Sequence, residues 1–241
     1  MILRADVGKR VAFFGGSFDP PHLGHLAVAR AAQAALGLDT VLFAPVGAQP
    51  LKPHGSSAGF DQRLAMTRLA IGGDSAFSLS LADAPTPSGA PNYTLETLLA
   101  LRAELPPDGA LFCLMGADSF LSLRHWRRSA EIPFAAPLIV ASRPGQPLDG
   151  LKAALPAGLT MEPAADGQTR PQPAGIEVRS YLLENAAGDR TPFYLLPGLH
   201  VEISASEIRE QVRSAAGSIP AHHELLPAPV SDYIREHGLY R

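Results

Sequence analysis

The stretch V-A-F-F-G-G-S-F-D-P-P-H-L-G-H-L, Val11 to Leu26, decides how this chain is read. Val11 to Phe14 is a short apolar run, the pattern of a buried strand. Gly15 and Gly16 follow, and residues without a Cβ let the backbone turn tightly and approach a ligand. Pro20 and Pro21 end strand pairing and preset the entry to a helix. His22 and His25 then stand three residues apart at that helix start and share one face. Strand, glycine turn, helix N-terminus and two imidazoles together describe a phosphate-binding corner. Taken singly, a Gly-Gly pair is a common turn, and H-x-x-H is more often a surface or core feature than a ligand set. Neither the dinucleotide fingerprint G-x-G-x-x-G nor the lysine-bearing P-loop is present in this stretch. Two histidines with no Cys or carboxylate at ligand spacing make a weak metal site, and no metal held by protein side chains is expected.

Outward from that stretch, strands and helices alternate. Leu26 to Leu36 is Ala-rich and reads as a mostly buried helix capped by Gly37. Thr40 to Ala44 is a second strand, Pro45 to Gly59 a loop carrying Gln49, Lys52 and His54, and Asp61 to Ile71 a helix ended by Gly72-Gly73. Phe77 to Leu81 alternates like a strand, and Thr94 to Glu104 repeats Leu on a helical face until Pro106-Pro107. Ala110 to Met115 is near-continuously apolar, as in a sheet covered on both sides. Ser119 to Leu123 starts another helix, and Pro137 to Ala141 is the next strand. This alternation predicts an α/β fold, a Rossmann-like doubly wound parallel sheet with a C-terminal helical segment at Pro229 to Glu236. In such sheets ligands bind beyond the carboxyl ends of the strands, near the switch point. Pro147 to Gly175 has little periodicity and reads as irregular, part of an insertion around 147–198. Ile176 to Leu183 and Pro192 to Leu196 read as strands of a hairpin.

The composition narrows the function classes. The 241 residues suit one domain, here taken as 1–241, and 46% hydrophobic content suffices for a sizeable core. A net charge of −3 argues against a general nucleic-acid binder. The single cysteine, Cys113, lies in an apolar run and reads as a buried structural thiol. No apolar run approaches the roughly 18 residues of a membrane span, and no signal-peptide core opens the chain, so a cytoplasmic protein is expected.

A second candidate phosphate site lies near the other end. Leu199 to Ile203 is strand-like, and Ser204 and Glu207 have capping-box spacing, which marks a helix start with unpaired amides. Arg209 in the second turn adds a guanidinium fork. On these residues alone, an ordinary capped surface helix is the simpler reading.

Gly15-Gly-Ser-Phe-Asp-Pro-Pro-His22-Leu-Gly-His25 resembles the signature of the nucleotidylyltransferase superfamily with an H-x-G-H motif. More narrowly, it resembles the bacterial nicotinate mononucleotide adenylyltransferases. Ile203-Ser204-Ala-Ser206-Glu-Ile-Arg209 is similar to the second superfamily motif, with Ser206 where Thr is common. Arg63-Leu-Ala-Met66, Tyr93-Thr94-Leu-Glu-Thr97-Leu98, Gly116-Ala-Asp118 through Trp126, Ser142-Arg-Pro-Gly145 and His237-Gly-Leu-Tyr240 match the narrower family in order. Asn92 stands where Ser is usual, and Ala82-Asp83-Ala84-Pro85 replaces an acidic-basic pair.

The resemblance implies transfer of the adenylyl group of ATP to nicotinate mononucleotide, releasing pyrophosphate, in NAD biosynthesis. It implies that Gly15, Gly16, Ser17, Phe18, His22, His25, Asp118, Ser204, Ser206 and Arg209 bind ATP. His22, His25 and Arg209 would be the catalytic groups, with Mg²⁺ bridging phosphate oxygens. Lys52, Tyr93, Thr94, Trp126 and Arg127 would bind the mononucleotide, Trp126 stacking on the pyridine. Without the family, Trp126 reads as packing, Asp118 as a helix cap, and Arg124, His125, Arg127 and Arg128 as a solvated basic face. The amide mononucleotide, pantetheine phosphate, or a non-catalytic nucleotide-binding module remain the alternatives. A homo-oligomer stays open.

Overall fold

The computed structural model describes residues 9–50, 55–142, 148–164, 176–199, 203–214 and 225–241. Eight strands form one sheet: β1 (Arg10–Gly16), β2 (Thr40–Pro45), β3 (Phe77–Leu79), β4 (Ala110–Gly116), β5 (Leu138–Ala141), β6 (Thr160–Pro163), β7 (Arg179–Glu184) and β8 (Arg190–Leu196). Their spatial order is β3-β2-β1-β4-β5-β8-β7-β6. From β3 to β8 neighbouring strands run parallel, and β7 and β6 add an antiparallel edge. The expected doubly wound parallel sheet is present at the centre, with an antiparallel edge added at one side. The expected hairpin causes it: Asn185 to Asp189 turns the chain tightly, with Asn185 Oδ1 accepting from the amides of Ala187 and Asp189 at 2.9 and 3.0 Å.

Eight α-helices accompany the strands among the described residues: α1 (Leu23–Leu36), α2 (Phe60–Ile71), α3 (Thr94–Glu104), α4 (Ala117–Ser122), α5 (Ile132–Ala135), α6 (Leu148–Ala153), α7 (Ala205–Ser214) and α8 (Ala228–Glu236). Side chains alternate between the two faces of a strand, so each central strand feeds two cores. Ala12, Phe14, Phe43, Leu114 and Ile139 pack with α1, α2, α7 and α8 residues such as Ala32, Met66, Ile208 and Val230. Val11, Phe13, Leu42, Cys113, Leu138 and Val140 pack on the other face with Leu98, Phe120 and Ile132. Burial pushes the Cys113 thiol up to about 12, as befits a structural cysteine.

Several boundaries moved for local reasons. Helix α1 begins one turn before the expected Leu26, because extended His22 serves as its N-cap and Gly24 is taken into the helix. Gly37 ends it in the left-handed conformation, φ 58°. The segment expected to be irregular contains α6 and β6, both too short to announce a periodicity. Of the strand expected at Leu199 to Ile203, residues 200–202 lie outside the described residues, and Leu199 and Ile203 are in neither helix nor strand. No helix among the described residues is long and apolar enough to cross a membrane.

Sheet order reverses at β1: the chain goes from β1 outward to β2 and β3, then returns to place β4 on the other side. The crevice between the carboxyl ends of β1 and β4 is thus the switch point. Phe43 of β2 lies beneath it, fully buried, its ring 5.3, 5.5 and 5.2 Å from those of Phe14, Phe18 and Phe77. Phe43→Ala is expected to cost about 3–5 kcal/mol in urea unfolding. A loss under about 1 kcal/mol would show that this cluster relaxes without penalty.

Candidate active site

A cavity of about 750 Å³ opens at the switch point. Its lining includes the end of β1 (Gly15, Gly16), the following loop (Ser17, Phe18, Asp19), His22 and His25 of α1, and Gly116 and Asp118 after β4. Tyr93 and Thr94 at the start of α3 line it too, as do Trp126, Arg127, Ser204, Ser206 and Arg209. All but one of the site residues expected from the sequence therefore face one space. Lys52 is the exception, and it lies outside the described residues, as do Arg143 to Gly145 of the Ser142 motif.

The glycines work differently from expectation. Gly15 and Gly16 do not form a turn. They complete β1, opposite Ala44 and Pro45 of β2. A Cβ on Gly15 would lie 2.7 Å from the Phe13 ring, and one on Gly16 would lie 3.2 Å from the Phe18 ring. Aromatic packing, not backbone conformation, demands their small size. The left-handed position falls on Phe18, φ 47°, a strained backbone for a bulky residue. Its ring offsets that strain by near-complete burial, edge-on to Phe14 at 5.6 Å and to His25 at 5.0 Å.

The two imidazoles stack, centroids 3.7 Å apart and planes 29° apart. The amide of His22 donates to Nδ1 of His25 at 3.2 Å. Nδ1 of His25 is thereby an acceptor, and its neutral tautomer carries the proton on Nε2. Burial first, and then the neighbouring His22, holds His25 well below the usual imidazole range. His25 is thus held as a neutral imidazole with Nε2–H as its donor.

The Ile203–Arg209 stretch meets the Gly15–His25 stretch directly. Arg209 on α7 donates through Nη1 to the Asp19 carbonyl at 2.7 Å and through Nη2 to Ser206 Oγ at 3.1 Å. Its Nε has no hydrogen-bond partner among the described residues. Trp126, which also lines the cavity, is half-buried and donates through Nε1 to Ser122 Oγ at 3.2 Å. Exposed Arg127 lies over the Tyr93 ring at 4.6 Å, a cation–π contact at the cavity rim. Among the described residues, no cluster of three or more His, Cys, Asp or Glu is placed to hold a metal ion.

Three supporting residues had no assigned role in the sequence. Arg63 of α2 is almost fully buried and donates to three carbonyls: Ser17 at 2.7 Å, Val46 at 2.8 Å and Ala58 at 3.2 Å. Its signal was present: Arg63 shares a helical stripe with Met66, Thr67 and Ala70, where an apolar residue is expected. Asn92 joins two loops, accepting from the Ala48 amide at 3.1 Å and donating to the Ala84 carbonyl at 2.9 Å. Asp83 lines the cavity near Gly15 and accepts from Thr97 Oγ1 at 2.5 Å.

Burial raises the Asp83 carboxyl to about 6, partly offset by the Thr97 hydrogen bond. Its folded value exceeds the unfolded one, so the native state binds the extra proton between about pH 4 and 6. Stability from this group is present below that window and lost as pH rises through it, by roughly 2–3 kcal/mol. Asp83→Asn should therefore gain stability relative to the parent chain as pH rises from 4 to 6, with a constant difference above. Denaturant unfolding across that range checks this, and parallel pH profiles would contradict it.

Known proteins resemble this chain along most of its length. The Cytidylyltransferase-like family model matches residues 13–211. A protein of Pelobacter propionicus named "Probable nicotinate-nucleotide adenylyltransferase" is 37% identical over 96% of this chain and 98% of its own length. One of the same name from Solibacter usitatus is 36% identical over 96% and 99%. The fold is similar to that of Plasmodium falciparum nicotinic acid mononucleotide adenylyltransferase, solved in complex with NaAD. The TM-score is 0.64 and the identity 17%, over 97% of this chain and 98% of that one. On full-length identity to these relatives, the chain belongs to the nicotinate-nucleotide adenylyltransferase family, within the Cytidylyltransferase-like group.

Proposed function

We propose that this chain transfers the adenylyl group of ATP to nicotinate mononucleotide, giving nicotinate adenine dinucleotide and pyrophosphate. The observation that carries the reading is the Arg209–Asp19 hydrogen bond, which joins the two candidate anion-binding stretches in a cavity that Trp126 also lines. That cavity and that ring suit a substrate pair of triphosphate and pyridine. The reaction supplies NAD biosynthesis and suits the cytoplasm, where ATP is abundant.

The attacking 5′-phosphate of the mononucleotide is already an anion, so no strong general base is needed. The barrier lies in bringing two anions together and in charge gathering on the transferred phosphoryl. His25, neutral before substrate arrives, offers Nε2–H to that phosphoryl, and stacked His22 shares the task. Ser204, Ser206 and Arg209 hold the β- and γ-phosphates and steady the departing pyrophosphate. The β1 end and the Ser17–Phe18 backbone line the triphosphate side, and Asp118 meets the ribose. Trp126 stacks on the pyridine, with Tyr93, Thr94, Arg127 and Lys52 on its side of the cavity. Mg²⁺ entering with ATP would supply charge neutralisation to the triphosphate.

Pyrophosphate release from ATP, Mg²⁺ and nicotinate mononucleotide tests the activity. A higher kcat/KM for the acid than for the amide mononucleotide is expected, and equal values would remove the acid assignment. His25→Ala should lower kcat at least about 100-fold, the usual cost of losing one transition-state donor. A variant turning over at the parent rate would strip His25 of its role. Trp126→Ala should raise the mononucleotide KM about 3- to 10-fold and leave the ATP KM in place. An unmoved mononucleotide KM would mean that the ring does not stack there.

A further inference from the structure

Asp19, in the first of the two candidate phosphate stretches, is almost wholly buried and lines the cavity. Its carboxylate accepts from the amides of Ser57 at 2.6 Å and Ala58 at 3.0 Å. Its carbonyl accepts from Arg209 Nη1 at 2.7 Å, and that same nitrogen lies 4.0 Å from Oδ2. A further donor arrives from far along the chain: the hydroxyl of Tyr240 reaches Asp19 Oδ1 at 2.8 Å. Tyr240 itself has left-handed backbone, φ 64°, just past Gly238 at φ 59°, so the chain bends back sharply to deliver the phenol. Burial first, and then Asp19, keep that phenol well above its ordinary range, so it is a hydrogen-bond donor at every working pH.

Charge explains why such an anchor matters. A smaller cavity beside the first is lined by Ser57, Arg209, Arg213, Tyr240 and Arg241. Three guanidinium groups crowd there, and Arg213 turns partly toward Glu210 at 3.3 Å. Arg213 and Arg241 line that cavity with Arg209, and like charges repel, while the Asp19 carbonyl holds one of the Arg209 nitrogens. Arg209 is tied to Asp19 by the carbonyl at 2.7 Å and lies 4.0 Å from Oδ2, so a shift of Asp19 moves its anchor.

We propose that Tyr240 is a positioning residue for the triphosphate end of the site, acting through Asp19 to hold Arg209 in the orientation that grips the outer phosphates of ATP. This rests on the reading of Arg209 given above. Tyr240 touches no substrate. Its hydroxyl fixes one carboxylate oxygen, the carboxylate fixes the Asp19 carbonyl, and that carbonyl fixes Arg209.

The test is Tyr240→Phe, which keeps the ring and removes only the hydroxyl. The ATP KM, and the ATP dissociation constant by calorimetry, should rise about 3- to 10-fold, the scale of one lost hydrogen bond. The mononucleotide KM should move less than about twofold. Introduced into Arg209→Ala, the same change should add nothing to the weakening already present. ATP binding unchanged in the single variant, or weakened by the same factor in both backgrounds, overturns the proposal. So does a lower thermal midpoint with ATP affinity of the folded protein intact, which is what a purely structural tyrosine would give. Calorimetry with ATP alone separates this outcome from the functional reading: if no pyridine mononucleotide is adenylylated, that reading fails, and the binding comparison still decides the role of Tyr240.

Discussion

The buried guanidinium of Arg63 is the constraint on which the site rests. A charge placed among apolar side chains is costly unless its donors are met, and here three carbonyls from three separate segments meet them. Ser17 belongs to the loop after β1, Val46 to the loop after β2, and Ala58 to the residues entering α2. No other single side chain described here ties those segments to one point. The cost of burying the charge becomes a source of definition, because any displacement of one segment leaves the cation under-satisfied.

Above that anchor, the site is a layered arrangement of donors. Phe18 accepts a left-handed backbone so that its ring can fill the space beneath His25. His25 is held neutral by that enclosure and oriented by the His22 amide. Arg209 closes the ring from the far end of the chain through Asp19. His25 and Arg209 are donors set in place by the fold, which suits a reaction whose difficulty is charge repulsion rather than proton removal.

Much of this was legible beforehand, and for physical reasons. Buried parallel strands such as Ala110–Gly116 are apolar throughout, and helices such as Thr94–Glu104 carry a regular Leu face, so alternation alone predicted the central sheet. The Gly15–His25 and Ile203–Arg209 stretches could be singled out because their residues are contiguous, and the fold brings both to one cavity. What stayed hidden is set by distance along the chain. Nothing around Tyr240 announces Asp19, and Arg63 reveals its carbonyl partners only when three loops converge. The positive φ of Phe18 was hidden too, since two glycines stood beside it as easier bearers of a turn. The short β6 and α6 lacked the length that makes a pattern.

The borders of the sheet carry a consequence for the protein in crowded solution. An open row of backbone donors and acceptors invites a neighbouring chain to add itself as another strand. Here β3 runs only from Phe77 to Leu79, and β6, from Thr160 to Pro163, ends in a residue with no amide hydrogen and exposes Glu162 beside it. Both rims thus present rows too brief, and on one side too charged, to template growth. An eight-stranded sheet that could have been an adhesive surface is instead closed at its margins.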